Sequence, residues 1–150
     1  MDRLTYIMKH TLLTTLFWIM VSLNPAYSGE KGKFKIIVNP DNPAETVNRK
    51  FLADLFLKKA AFWDDGQPAD PVDLPMDSST RKAFSKEILD RPLDAVKNYW
   101  QQMIFSGRDL PPIELRSEQA VIKYVISNKN AVGYVSDGAD IDTAKLLKIE

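Results

Sequence analysis

The sequence predicts an α/β fold, a central mixed β-sheet flanked by helices. Two observations carry this. Short runs rich in β-branched and aromatic residues alternate along the chain with stretches whose apolar residues recur at helical spacing. Clusters of Pro, Gly, Asn and Asp separate the runs. Such alternation places the strands in one sheet and the helices over it. No repeat or low-complexity segment interrupts it.

The fold is expected to begin after a leader. Arg3 and Lys9 precede an uncharged apolar run from Leu12 to Leu23, and Ala26 and Ser28 put small residues where a signal peptidase reads. Residues 1–28 are therefore read as a signal peptide cleaved after Ser28, and residues 29–150 as one compact domain. The run is short for a membrane span of about 20 residues, and an uncleaved anchor is the alternative. Gly29 to Lys33 forms a polar lead-in.

Phe34 to Val38 is the first strand, stopped by Asn39-Pro40. Thr46 or Asn48 then caps a helix running to about Lys58, with Phe51, Leu52, Leu55 and Phe56 on its inner face. Asp64-Asp65-Gly66 is a turn signal. The two carboxylates could be taken for a catalytic or metal pair, but neighbours in a turn diverge and no further ligand cluster accompanies them. Val72 to Leu74 is a short strand, Pro75 a turn, and Ser79 to about Leu89 a helix presenting Phe84 and Ile88 inward. Asp90-Arg91-Pro92 breaks it. The next helix carries Leu93, Val96, Trp100, Met103 and Ile104 on one stripe and ends at Ser106-Gly107. Pro111-Pro112 marks an extended loop, and Ser117 caps a helix with Val121, Tyr124 and Val125 at its core face. Ala131 to Val135 is a strand whose Gly133 points to a close backbone approach. Ser136 to Asp142 is a polar loop, and Lys145 to Ile149 the final strand.

Composition excludes several chemistries. The chain has no cysteine, and its one histidine, His10, falls in the leader. Disulfides, histidine triads, cysteine nucleophiles and ordinary zinc sites are ruled out for the domain. No metal or other cofactor is expected. Cleavage would remove Asp2, Arg3 and Lys9, leaving 18 basic and 19 acidic residues. A net charge near −1 argues against nucleic-acid or membrane-surface binding through bulk charge.

The stretch with most chemical content is Asp77-Ser78-Ser79-Thr80-Arg81, at the expected strand-to-helix turn. A helix start exposes unpaired N–H groups and the positive end of the helix dipole, which suits an anion. Ser78, Ser79 and Thr80 would add small donors and Arg81 a charge. The plainer reading is a helix capped by Asp77 or Ser78, and the Asp77 carboxylate would compete for the same amides.

Four segments in order resemble the periplasmic phosphate-binding proteins of ABC transporters. Phe34-Lys35-Ile36-Ile37-Val38-Asn39-Pro40 is similar to the strand that enters a lobe in that family. Phe51 to Lys58 followed by Trp63-Asp64-Asp65-Gly66 resembles its helix and Trp-x-Asp-Gly step. Asp77-Ser78-Ser79-Thr80 sits where the family has its Ser-Gly-Thr anion loop, and Ala131 to Ser136 is similar to its Ala-Ile-Gly-Tyr-Val strand. Tyr99 to Gly107 looks like a small stand-alone branch of the superfamily. The resemblance implies a single periplasmic-binding-protein-like lobe and an oxyanion ligand at Ser78, Ser79, Thr80 and Arg81. Two departures weaken the second implication. The family's phosphate-contacting arginine would fall at Leu74, and the glycine of its loop is Ser79.

Two functions follow. One is a periplasmic or secreted solute-binding module for phosphate or a related oxyanion, tied to phosphate uptake. The other is a periplasmic interaction module that keeps the lobe, has lost the ligand, and meets a periplasmic or membrane protein partner through the Phe105 to Pro112 loop. An enzyme ranks below both, because no nucleophile and base pair can be named. No nucleic-acid partner and no stable membrane insertion after cleavage are expected.

Overall fold

The computed structural model describes residues 34–150. The leader, its cleavage after Ser28 and the lead-in to Lys33 lie outside the described residues. In chain order the elements are β1 (Phe34–Val38), β2 (Thr46–Val47), α1 (Arg49–Phe56), β3 (Asp70–Asp73), α2 (Ser79–Glu87), α3 (Leu93–Phe105), β4 (Ile113–Glu114), α4 (Glu118–Ser127), β5 (Ala131–Ser136) and β6 (Lys145–Ile149).

The strands form one mixed sheet in the order β2-β6-β1-β5-β3-β4. β1 is antiparallel to both β5 and β6, while β3 runs parallel to β5 and β4, and β2 parallel to β6. Successive strand residues face opposite sides of a sheet, and β5 shows what covers each. Gly133 lies against Val121 and Val125 of α4, while its neighbour Tyr134 stacks flat on Phe84 of α2 at 3.9 Å between ring centroids. Phe56 of α1 packs on the same aromatic pair, 4.6 Å from Phe84. Helices thus lie on both faces. The close approach read from Gly133 is real: a Cβ there would sit 2.6 Å from Val121 Cγ1. Asn39, buried after β1, donates to the carbonyls of Val125 and Ile126 and ties the end of α4 to the sheet.

Of the two caps expected for α1, Asn48 is the one used, its Oδ1 accepting from the Lys50 and Phe51 amides. Three local expectations are corrected. Thr46 belongs to β2, which the sequence did not reveal. β4 likewise lies where a loop was expected. Each is two residues long, too short to show a period, and exists because a neighbouring strand supplies its partner. Finally, Val96 and Trp100 of α3 are buried but Ile104 is exposed and Phe105 is 91% exposed. The last turn of α3 runs past the part of the helix that meets the core. Among the described residues no helix is long and apolar enough to cross a membrane.

Candidate functional site

β3 carries the chain to the start of α2. After Leu74 a tight turn closes through Ser78 N–H donating to Pro75 C=O at 2.9 Å. Ser78 has extended backbone geometry, and its Oγ accepts from Arg81 N–H at 3.2 Å, so Ser78 is the N-cap. The Arg81 amide being capped, the Ser79 and Thr80 amides are the first-turn donors without an intrahelical acceptor. Ser79 and Asp77 are exposed, Ser78 half-buried and Thr80 buried. The structure therefore brings Ser78, Ser79 and Thr80 together at one helix start.

The Arg81 side chain goes elsewhere. It is 6% exposed and turns under the helix to the end of β3. Its Nη2 lies 3.0 Å from Asp73 Oδ2, and its Nη1 donates to Glu114 Oε2 at 2.6 Å and to Leu74 C=O. The sheet register explains this. Asp73 on β3 pairs directly with Glu114 on β4, setting two carboxylates side by side, a repulsive arrangement without a cation. Tyr134 Oη and the Leu74 amide also donate to Asp73 Oδ1. Burial holds the Asp73 carboxyl above the ordinary Asp value, against the pull of Arg81 and Tyr134. Burial, together with the Asp73 charge and hydrogen bond, raises Tyr134 far above its ordinary value.

The Thr80 hydroxyl is also engaged. Its Oγ1 donates to Glu118 Oε1 at 2.8 Å, and Ser136 donates to the same carboxylate through its amide at 2.9 Å and its hydroxyl at 2.7 Å. Burial alone would raise Glu118, but these hydrogen bonds outweigh it and hold the carboxyl below its ordinary value. An internal carboxylate thus accepts the donors that an external oxyanion would use. At this turn Ser79 is exposed, whereas Thr80 is buried and Ser78 Oγ caps the Arg81 amide.

Asp73, Glu114, Glu118, Tyr134 and Ser136 were not singled out in the sequence. One signal was present: Asp73 lies between the apolar Val72 and Leu74 in a short expected strand, and a carboxylate buried there needs a cation, which Arg81 supplies. For Glu118 and Ser136 no local signal exists, since their partners come from distant segments.

No protein-family model matches the chain, and a comparison with curated proteins gives no match. Solved structures do match. A Clostridium perfringens protein with bound phosphate aligns with TM-score 0.61 and 18% identity over 78% of this chain and 44% of its own. An ABC-type phosphate transport receptor from Vibrio cholerae gives 0.60 and 19%, over 78% and 46%. PstS from Borrelia burgdorferi gives 0.61 and 11%, over 79% and 47%. The fold is that of a phosphate-binding-protein lobe. The chain spans less than half the length of each of those three proteins.

Proposed function

We propose that the chain is an exported module of the solute-binding class that takes phosphate or a related oxyanion, weakly, at the start of α2. What supports the reading is the first turn of α2, where Ser79 is exposed and the Ser79 and Thr80 amides have no intrahelical acceptor at the positive end of a helix. The proteins of matching fold include one with bound phosphate and one described as a phosphate transport receptor. Arg81 supports the site by holding the Leu74 carbonyl beneath the turn. With its charge engaged and Glu118 on the Thr80 hydroxyl, the lobe should bind with Kd on the order of 0.1 mM or weaker. The mature module begins after Ser28 and acts in the periplasm or outside the cell.

The test is a phosphate titration of the domain from Gly29 onward, followed by amide NMR. Saturable shifts at Ser79 and Thr80, weakening as salt rises, are expected. An absence of shifts at millimolar phosphate rejects the reading.

One observation favours a second reading, a module that docks on a protein. The buried polar groups around the turn are satisfied internally, while Phe105, Leu110 and Ile113 stand exposed between the end of α3 and β4. Exposed large apolar side chains fit a protein contact. Silence in the titration moves this reading to the front.

A further inference from the structure

The turn at Asp64-Asp65-Gly66 borders a cavity of about 590 Å³, within the usual range for a small-molecule pocket. The chain from Asn42 to Asn48 and the first turn of α1 form the other walls. The cavity lies at the β2 edge of the sheet, with β6, β1 and β5 between β2 and β3. It is therefore separate from the turn into α2. Its floor is apolar. Val47 is buried, and Phe51 and Trp63 meet edge to face at 6.3 Å between ring centroids. The turn itself is well held. The Gly66 amide donates to Trp63 C=O at 2.9 Å, the Trp63 amide to Gln67 C=O at 2.8 Å, and Trp63 Nε1 to Asn130 C=O at 3.3 Å.

The charge of the lining has one sign. Glu45, Asp64, Asp65 and Glu150 line the cavity, and no Lys or Arg does. Glu45 is paired with Lys145 at 2.7 Å. Among the described residues Asp64, Asp65 and Glu150 form no ion pair, because Arg49 and Lys50 of α1 are engaged by Glu87 and Asp54. Also among the described residues, no three acidic side chains are grouped to hold one metal ion. Carboxylates set apart around an apolar floor are complementary to a cation whose charges are also apart and whose body is apolar. We propose that this cavity binds an aliphatic amine carrying two or more ammonium groups. The ammonium groups pair with Asp64, Asp65 and Glu150, and the methylene chain lies on Val47 and the Phe51 and Trp63 rings. The site does not depend on the oxyanion reading.

Spermidine is the probe, and magnesium ion is the compact divalent control. The variants are Asp64→Asn combined with Asp65→Asn, and Glu150→Gln. Each keeps a carbonyl oxygen, so the hydrogen bonds that Asp65 accepts from the Gln67 amide and Glu150 from the Thr46 hydroxyl can persist. Asp94→Asn, at the exposed start of α3, removes a charge elsewhere. Calorimetric and amide-NMR titrations of the full chain with spermidine are expected to give saturable shifts at Val47, Phe51, Asp64, Asp65 and the Trp63 indole N–H. Affinity should fall as salt rises. It should drop about tenfold in the Asp64→Asn, Asp65→Asn variant and less in Glu150→Gln, and hold in Asp94→Asn. No shift at these positions in millimolar spermidine overturns the site. Equal affinity for magnesium ion, or an equal loss in Asp94→Asn, overturns it as a bulk charge effect. Undiminished binding in the Asp64→Asn, Asp65→Asn variant overturns it as well.

Discussion

Trp100 illustrates how much a single side chain can hold. It is 6% exposed in α3 and makes an edge contact with Tyr99, whose hydroxyl donates to the Leu57 carbonyl beyond α1. Trp100→Ala is expected to lose about 3–5 kcal/mol, the range for a large aromatic removed from a core. Since small domains hold about 5–15 kcal/mol in all, the denaturation midpoint should fall sharply. An unmoved midpoint would place the ring outside the core. Glu118 gives a second prediction, in pH. Its carboxyl titrates below the ordinary Glu value in the folded protein. The unfolded chain therefore takes up a proton first as acid is added, and stability falls with pH below the ordinary Glu range. Asp73, shifted upward, acts with the opposite sign. Urea midpoints between neutral and about pH 3 should fall less steeply in Glu118→Gln than in the wild type. Parallel curves would mean that Thr80 and Ser136 do not hold that carboxylate in solution.

Between elements, the contact of β5 with α4 depends on a missing side chain. Gly133→Ala would press a methyl group against Val121 Cγ1, with Val72 Cγ2 at 3.2 Å. A loss of about 1–3 kcal/mol is expected, the range for overpacking. Adding Val121→Ala should return part of it, read from a double-mutant cycle of chemical denaturation. Two additive losses would show that the neighbours do not meet. Gly133 was legible in the sequence because a glycine weakens an apolar strand unless a neighbour needs the room. β1, β5 and the helices were legible for a similar reason, since each repeats its pattern over several residues. β2 and β4 were not, because two residues paired to a distant strand leave no local pattern. The site divides the same way. The helix start at Ser78 showed in its run of hydroxyls, a property of neighbours in sequence. The inward path of Arg81 is set by the register of Asp73 against Glu114, and the capture of Thr80 by Glu118 joins segments that a linear reading keeps apart.

For the whole molecule, the proposed export would set where the lobe acts. Intact mass of the secreted product should correspond to a chain beginning at Gly29, and retention of Met1 would indicate an anchored protein instead. The order of the sheet has a consequence for such a protein at high concentration. Both outer strands, β2 and β4, are two residues long, and Pro43 and Pro111-Pro112 precede them. Proline offers no amide to a neighbour, and so short a border gives another chain almost nothing to copy. Fibril growth by strand stacking is thereby discouraged at either side of the sheet. The lobe can display Phe105 and Leu110 to solvent while its backbone remains a poor template for self-assembly.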